Sequence, residues 1–234
     1  MPPPSPLAND PLNPDGAAIA HVVWDWNGTL FDDAAAMVDS TIEAFAAVGL
    51  PPVTADHCRR SHTQPISDYY TALAGRALPG DVHTALNAAF DAAYARRRPA
   101  LALAADALDC LDLVAGRGTQ SLLSMHPHDR LMALVDRFGI AGRFARVDGQ
   151  RGSDAGRKAR HLAEHLGALG TGGAGVLLIG DSVDDARAAA AAGARCVLVA
   201  SGLHTVEALR AERVPVGSTL SEALAMGFAE GAVR

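Results

Sequence analysis

Asp25 opens a short polar segment that could act on an anionic ligand. It follows the apolar run Ala18 to Trp24, in which only His21 is not apolar, and this pattern is typical of a strand buried on both faces. Residues at the carboxyl ends of such strands line the ligand site of open α/β sheets. Gly28 permits a sharp turn whose amide groups can point at an anion, and Thr29 adds a hydroxyl donor. We therefore expect an anion-binding turn that carries a carboxylate.

A second acidic segment, far along the chain, has the same arrangement. The apolar residues 176–179 and Gly180 are followed by Asp181, Asp184 and Asp185, which lead into an Ala-rich stretch typical of a helix. Two carboxylate clusters at strand ends, brought side by side, make a site for a hard divalent cation. Mg²⁺ prefers a few carboxylate oxygens, retained waters and a substrate phosphate oxygen. The two segments together predict a Mg²⁺ site.

Together the two segments resemble the haloacid dehalogenase (HAD) superfamily of phosphotransferases. Residues 25–30 (DWNGTL) are similar to its first motif, and residues 180–185 (GDSVDD) are similar to its fourth. The resemblance extends from about residue 19 to residue 227 and is closest to the phosphoglycolate-phosphatase-like branch, in which a helical cap is inserted. It implies Mg²⁺-dependent hydrolysis of a small phosphate monoester through an aspartyl-phosphate intermediate.

Two further residues fit positions that the superfamily uses around the phosphoryl group. Ser124 ends a short apolar segment, where members place a Ser or Thr, although an ordinary strand-end cap is the alternative. Lys158 is the only lysine in the sequence and lies on a predicted helix before Asp181. The superfamily has a lysine there that neutralises the nucleophile and the phosphate, and a compact ammonium suits that role. The alternative for Lys158 is a solvated helix face.

The resemblance also assigns roles to these residues. Asp25 is the expected nucleophile. Mg²⁺ is expected to be bound by Asp25, by the backbone carbonyl of Asn27 and by Asp181, with Asp185 in or just outside the coordination sphere. The spacing after Asp181 favours Asp185 over Asp184. The residues expected to bind the phosphoryl oxygens are Gly28, Thr29, Ser124 and Lys158.

Asn27 departs from the pattern of the superfamily's phosphatases, which have a second Asp there. That Asp protonates the leaving alkoxide and activates the water, and an amide can do neither. Losing a general acid–base typically costs on the order of 10²–10⁴ in rate. Three interpretations stay open: a phosphatase that is slow or recruits another acid, an enzyme for good leaving groups such as acyl phosphates, or a catalytically impaired phosphate-binding protein. His126 is the substitute acid favoured by position, and a loop histidine bonded to the backbone is the alternative.

Substrate selection is expected to involve Arg59 and Arg60. They lie in a turn between two predicted helices that faces the active site in this branch, and they would bind a second anionic group of the substrate. A solvated basic turn is the alternative. A dehalogenase is the rival class of enzyme, since it attacks carbon with the same Asp and needs no Mg²⁺. The acidic cluster at 181–185 argues against that class.

The composition fits a globular enzyme and argues against several kinds of partner. The chain is 49% hydrophobic and 20% charged, and it carries a net charge of −6 with a pI near 5.8. These values argue against nucleic acid or an anionic membrane surface as a main partner. Cys58, Cys110 and Cys196 lack metal-ligand spacing and predict free thiols. We expect a cytoplasmic monomer or dimer that binds a small-molecule phosphate ester.

The elements that must position these residues follow from the hydrophobic pattern. Alternating strands and helices predict an α/β fold with a Rossmann-like parallel sheet and right-handed crossovers. The predicted strands are 18–24, 119–124, 144–148, 175–180 and 194–199. The predicted helices are 33–48, 54–61, 66–75, 80–97, 104–116, 128–138, 155–167, 183–192, 204–212 and 219–227. The unbroken helical pattern after Leu30 predicts an all-helical cap at 32–100, inserted into a catalytic core at 19–31 and 101–234. Residues 1–18 are predicted to form a disordered Pro-rich tail.

Overall fold

Six parallel strands form one sheet in a computed structural model that describes residues 19–151 and 158–229. The strands are β1 (His21–Trp24), β2 (Thr119–Pro127), β3 (Val147–Gln150), β4 (Val176–Gly180), β5 (Arg195–Val199) and β6 (Val216–Gly217). Their order in the sheet is β3-β2-β1-β4-β5-β6, and every neighbouring pair is parallel. The order reverses between β1 and β4, which makes their carboxyl ends the switch point of the sheet.

Ten helices accompany the sheet within the described residues. They are α1 (Ala34–Ala47), α2 (Ala55–Ser61), α3 (Ile66–Ala74), α4 (Gly80–Arg97), α5 (Ala107–Ala115), α6 (His128–Arg137), α7 (Lys158–Ala168), α8 (Val183–Ala192), α9 (Val206–Ala211) and α10 (Leu220–Ala229). None of them is both long enough and apolar enough to cross a lipid bilayer.

The sheet is buried on both faces because successive strand residues point in opposite directions. On one face, Trp24 and Ile179 belong to a cluster that includes buried residues of α5, α6 and α10. On the other face, Val23 and Leu178 pack with buried residues of α7, α8 and α9. The predicted α/β Rossmann-like class is confirmed, with helices packed on both faces of the sheet.

Helices α1–α4, called here the helical insert, lie between β1 and β2 in the chain. Residues 36–96 are all described, and they contain no strand. The insert has its own apolar cluster, which includes Phe45, Tyr70 and Leu86 and is joined by Leu203 from the loop after β5. An all-helical insertion thus occupies the predicted place. The exact boundaries of a separate cap domain, at residues 32 and 100, stay a prediction.

Several elements differ from the sequence-based prediction. β2 continues to Pro127 instead of ending at Ser124, because Pro127 pairs with Gln150 at the end of β3. β3 begins at Val147 instead of 144, where its register with Leu122 starts. Helix α5 starts later than predicted because the backbone amide of Ala104 donates to the carbonyl of Leu30, which draws this segment away from the helix. Strand β6 was not predicted, since two residues carry no periodicity.

Two predicted segments fall outside the described residues. The Pro-rich segment 1–18 is not described, so the disordered tail stays a prediction. The helix predicted at 155–167 is described from Lys158 onward, and it continues to Ala168.

Candidate active site

The site is built where β1 and β4 end side by side. Asp25 directly follows β1, and its backbone amide donates a hydrogen bond of 2.9 Å to the carbonyl of Ile179 in β4. Asp181 directly follows β4. Both carboxylates are largely buried, at 8% exposure each. The parallel pairing of two distant strands therefore brings together the two acidic segments.

The turn after Asp25 is fixed by its own backbone. The amide of Phe31 donates to the carbonyl of Trp26 over 2.8 Å, and the Trp26 and Phe31 rings stack with centroids 5.2 Å apart. Gly28 has a φ of +70°, a value that L side chains rarely adopt. A Cβ on Gly28 would also lie 2.6 Å from Oδ2 of Asp181. The glycine is required both by the turn and by the close approach of Asp181.

Three carboxylates and one ammonium form the floor of the site. One oxygen from each of Asp25, Asp181 and Asp185 lies within 4.8 Å of the others. Lys158 Nζ donates to Oδ1 of Asp25 and to Oδ1 of Asp185. Lys158 is 3% exposed, so it is not on a solvated helix face. Three negative charges against one positive charge leave an excess of negative charge in a buried place.

The pKa values respond to this crowding. Burial raises the pKa of Asp25 to about 6, against the opposing effect of Lys158. Burial, followed by the charges of Asp25 and Asp185, raises the pKa of Asp181 well above its ordinary value. Burial alone would lower the pKa of Lys158, but Asp185 and Asp25 raise it above its ordinary value. The lysine is therefore positively charged, and among the described residues no second cationic side chain pairs with these carboxylates.

The donor set fits a hard divalent cation. It offers carboxylate oxygens with uncompensated charge, as Mg²⁺ and Ca²⁺ prefer. The backbone of the β5–α9 loop closes one side, because a Cβ on Gly202 would lie 1.6 Å from Oδ2 of Asp181. That loop is tied to the turn after Asp25, since Ser201 Oγ donates to the carbonyl of Gly28 over 2.6 Å. The Mg²⁺ itself stays a proposal.

Helix α8 begins with a capping box that fixes Asp185. Ser182 Oγ accepts from the Asp185 amide at 3.2 Å, and Asp185 Oδ2 accepts from the Ser182 amide at 3.0 Å. Both oxygens of Asp185 thus have protein partners, which fits a place at the edge of a coordination sphere. Asp184 does not join the cluster, and its Oδ2 instead accepts from the backbone amide of Lys158 at 2.9 Å.

Of the four residues predicted to bind the phosphoryl group, three line a common cavity and one does not. Gly28, Ser124 and Lys158 line a cavity of about 530 Å³ beside the acidic floor. Thr29 does not line it, and its hydroxyl donates to Oδ1 of Asp181 at 3.2 Å. Ser124 is 2% exposed, and its Oγ accepts from the backbone amide of His126 at 3.0 Å. The hydroxyl of Ser124 keeps a proton to donate.

Other predicted residues lie on the walls of the same cavity. Arg59 and Arg60 approach from the end of α2, and His126 approaches from the end of β2. Burial, with a smaller effect from Arg130, lowers the pKa of His126 to about 4. Its imidazole is therefore neutral near pH 7, which does not favour His126 as the substitute acid. The sequence did not indicate His204, which lines the cavity from the β5–α9 loop with its ring 4.8 Å from that of His62.

Asp33 and Tyr94 are site residues that sequence reasoning missed. Asp33 Oδ2 accepts from Asn27 Nδ2 at 2.6 Å and from the Tyr94 hydroxyl at 2.7 Å, and Oδ1 accepts from the Gly28 amide at 2.9 Å. Asp33 is 1% exposed, and burial raises its pKa. An acidic residue just after the first motif was the available signal for Asp33. Nothing in the sequence pointed to Tyr94, which lies in α4.

Solved proteins share this architecture. A haloacid dehalogenase-like family hydrolase from Streptococcus pneumoniae aligns with a TM-score of 0.77 and 18% identity, over 88% of this chain and 97% of that one. A predicted phosphoglycolate phosphatase from Haemophilus somnus aligns with a TM-score of 0.71 and 18% identity, over 92% and 96% of the two chains. The chain has the haloacid dehalogenase fold. A predicted phosphatase from Clostridium acetobutylicum, 14% identical, aligns with a TM-score of 0.77 over 88% of this chain and 97% of its own.

The haloacid dehalogenase resemblance has support in sequence as well as in fold. Residues 157–223 match the family model Hydrolase_like, described as HAD-hydrolase-like. That segment contains Lys158, Asp181 and Asp185, three of the four charged residues on the floor of the site. The resemblance drawn from the two motifs is thereby confirmed. A comparison with curated proteins gives no significant match.

Proposed function

We propose that the chain is a Mg²⁺-dependent phosphatase that hydrolyses a small phosphate ester through an acyl phosphate on Asp25. The observation that carries the proposal is the placement of Asp25 on the cavity floor, in contact with Lys158 and beside Asp181 and Asp185. A buried carboxylate held by an ammonium is suited to attack phosphorus, because the ammonium offsets the repulsion between the nucleophile and the phosphate. The names of the structural neighbours support the same class.

The reaction proceeds in two displacements at phosphorus. In the first, an oxygen of Asp25 bonds to phosphorus, and the ester oxygen leaves with the electron pair of its P–O bond. A leaving alkoxide then takes up a proton from solvent water. In the second, a water oxygen bonds to phosphorus, and the P–O bond to Asp25 breaks, which restores the carboxylate. The attacking water keeps one proton and passes the other to a phosphoryl oxygen, so the product is dihydrogen phosphate and the charges balance.

The phosphoryl oxygens need donors and positive charge throughout. Lys158 supplies an ammonium, Ser124 a hydroxyl, and the turn at Gly28 an amide, all on the wall of one cavity. Asp25, the carbonyl of Asn27 and Asp181 would hold Mg²⁺, with Asp185 beside them. When bound, the ion neutralises charge on the phosphoryl oxygens.

A second candidate is hydrolysis of substrates with a good leaving group, such as acyl phosphates. The observation in its favour is the hydrogen bond from Asn27 Nδ2 to Asp33. Asn27 is the side chain that would face a leaving oxygen, and this bond already occupies a donor of its amide. An amide transfers no proton. A leaving group that departs as a stable anion needs none, so an amide at position 27 serves it as well as an acid would. A dehalogenase is disfavoured, because attack on carbon does not call for Asp181 and Asp185 beside the nucleophile.

The cavity supports a small substrate with a second anionic group. Its volume of about 530 Å³ suits a small molecule. Arg59 and Arg60 line it from α2, and the guanidinium of Arg59 has no hydrogen-bond or ion-pair partner among the described residues. Arg60 pairs with Asp56 on the same helix. Neither nucleic acid nor a membrane surface is proposed as a partner, and a monomer or dimer is expected.

A substrate panel with and without chelator tests the proposal. The panel contains phosphoglycolate, an alkyl phosphate, acetyl phosphate and p-nitrophenyl phosphate, each assayed with Mg²⁺ and with excess EDTA. Turnover should require Mg²⁺, vanish in Asp25→Asn and persist in Asp109→Asn, a matched change of an exposed carboxylate in α5. Equal turnover in EDTA would indicate the dehalogenase-like class. Tight binding of inorganic phosphate without any turnover would indicate a binding protein.

A further inference from the structure

We propose that Asp33 is a positioning residue that orients the amide of Asn27, and that Tyr94 of the helical insert completes its placement. The inference deepens the proposed function and rests on it for its chemical consequence. Asp33 accepts three hydrogen bonds, from Asn27 Nδ2, the Gly28 amide and the Tyr94 hydroxyl, at 2.6, 2.9 and 2.7 Å. Three donors from two segments of the chain hold one buried carboxylate in a single orientation.

The hydrogen bonds determine which way the Asn27 amide faces. A carboxylate oxygen can only accept from Asn27, so the nitrogen of the amide must face Asp33 and the oxygen Oδ1 must face away. Asn27 lines the cavity next to Asp25. The side chain therefore offers the reacting groups a hydrogen-bond acceptor with a fixed direction.

An acceptor beside Asp25 suits the second displacement. The water that attacks the acyl phosphate has two O–H groups, and one of them can donate to Asn27 Oδ1 while the oxygen lone pair points at phosphorus. The side chain then orients the water without accepting a proton from it. The proton of the other O–H group passes to a phosphoryl oxygen, as described above. An error of about 1 Å in such positioning can cost on the order of 100-fold in rate. The first displacement does not use this water.

Tyr94 makes the orientation depend on the insert. Its hydroxyl comes from α4, whereas Asp33 and Asn27 belong to the segment after β1. Helices α1 and α4 are joined by ion pairs from Arg96 and Arg97 to Glu43. Tyr94 thus links α4 to the turn after Asp25, in addition to the junction with α1, whose N-cap is Asp33. Removing its hydroxyl should loosen Asn27 while leaving the fold intact.

Burst kinetics with p-nitrophenyl phosphate separate the two displacements. In Tyr94→Phe and in Asp33→Asn, the first turnover should stay within about twofold of wild type, while steady-state kcat falls about tenfold or more. KM should fall with kcat, so that kcat/KM, which reports the first displacement, changes little. The same fall should appear with acetyl phosphate, because both substrates share the second displacement. Tyr70→Phe, which removes the hydroxyl of another buried tyrosine of the insert, is the matched control and should change neither phase.

Two kinetic results would overturn the inference. One is an unchanged burst and steady state in both variants. The other is a loss that is larger with an alkyl phosphate than with p-nitrophenyl phosphate, since a loss that grows with the basicity of the leaving group would place Asp33 or Tyr94 in the first displacement.

A second measurement is independent of activity. The exchange of the Asn27 side-chain amide protons with solvent, followed by ¹⁵N NMR, should be slow in wild type and in Tyr70→Phe and faster in Tyr94→Phe. Equal exchange in all three proteins would overturn the coupling. A protein that hydrolyses none of the phosphates would refute the proposed function, and the amide exchange would still decide whether Tyr94 and Asp33 hold Asn27.

Discussion

The hydroxyl of Tyr94 in α4 donates a hydrogen bond of 2.7 Å to Asp33, and both side chains are buried. Tyr94 lies in α4, and Asp33 is the N-cap of α1, at the junction between the helical insert and the turn after Asp25. Their contact makes the position of that turn depend on α4. It also changes what a substitution at Asn27 should do.

Asn27→Asp is expected to destabilise the protein when made alone. The change replaces a donor that lies 2.6 Å from Asp33 Oδ2 with a second carboxylate. That buried oxygen then keeps only the Tyr94 hydroxyl as a partner and faces a like charge. The expected loss is about 1–3 kcal/mol in the free energy of unfolding. The sequence alone would predict faster turnover of alkyl phosphates, but the structure predicts that gain only in the exchange variant Asn27→Asp/Asp33→Asn. There the new amide at position 33 can donate to the new carboxylate.

A double-mutant cycle checks this expectation. Urea denaturation and turnover of an alkyl phosphate are measured for wild type, both single variants and the exchange variant. An Asn27→Asp protein that is as stable as wild type, or a cycle in which the two changes are additive, would contradict the prediction.

Asp181→Asn should lose its response to Mg²⁺ and gain stability without the ion. In the absence of a cation, Asp181 is crowded by Asp25 and Asp185, so its removal relieves repulsion. Calorimetry should detect Mg²⁺ binding in wild type but not in the variant. Thermal unfolding should show stabilisation of wild type by about 2.7 kcal/mol at 100 times its Kd, and none in Asp181→Asn. Asp109→Asn is the control. An equal Mg²⁺ response in the two variants would place the cation elsewhere.

Arg59→Ala should weaken the binding only of substrates that carry a second anionic group. The exposed guanidinium lines the cavity and is free to make a charge-assisted hydrogen bond to such a group. KM for phosphoglycolate should rise about tenfold, which corresponds to about 1.4 kcal/mol, while KM for p-nitrophenyl phosphate changes little. Arg76→Ala, at the exposed end of α3, is the control. A parallel rise for both substrates would show that Arg59 acts on the phosphoryl group or on the fold.

A buried network of polar side chains that joins α7 to β1, β2 and β3 should make stability depend on pH. His165 bonds to Asp148 and Ser121, and Ser121 bonds to His21, each over 2.7 Å. Burial lowers the pKa values of both histidines below 6.5. The unfolded chain therefore binds protons near pH 6.5 that the folded chain does not, so the stability is full above that pH and falls as the pH drops below it. Asp148, whose pKa is lowered by Arg146 and His165 against the effect of burial, contributes a further loss only below about pH 4.

Denaturation between pH 8 and pH 5 measures this effect. In His165→Gln, the free energy of unfolding should depend less steeply on pH below pH 6.5. In His57→Gln, a change in α2 outside the polar network, the dependence should stay as in wild type. Equal slopes in His165→Gln and wild type would show that the network does not titrate with folding.

The parts of the structure that were predictable are those with local signals. The apolar runs before Asp25 and Asp181 predicted β1 and β4, and their pairing places Asp25, Asp181 and Asp185 together because parallel strands end at one edge. The helical pattern after Leu30 predicted the insert in the same way. Both signals depend only on neighbouring residues.

The remaining features depend on contacts between distant residues. Asp33 follows the motif without any repeat to mark it, and its partner Tyr94 is one residue on a helix of the insert. Thr29 was expected to face a phosphate, but the nearness of Asp181 turns its hydroxyl away from the cavity. Gly202 and His204 line the cavity because β5 pairs with β4, and no local pattern in the sequence indicates that pairing.

The position of β1 in the sheet has a consequence for synthesis of the chain. β1 is a central strand, and its two neighbours, β2 and β4, start at Thr119 and Val176. When β1 leaves the ribosome, neither neighbour has been made, whereas α1–α4 follow directly and can pack on one another through Phe45, Tyr70 and Leu86. The apolar segment of β1 therefore has no strand to pair with during the time in which the insert can fold. A ribosome-stalled chain that ends before Thr119 should contain helical structure and an exposed β1, which makes this stage the one at which a chaperone would have an apolar segment to hold.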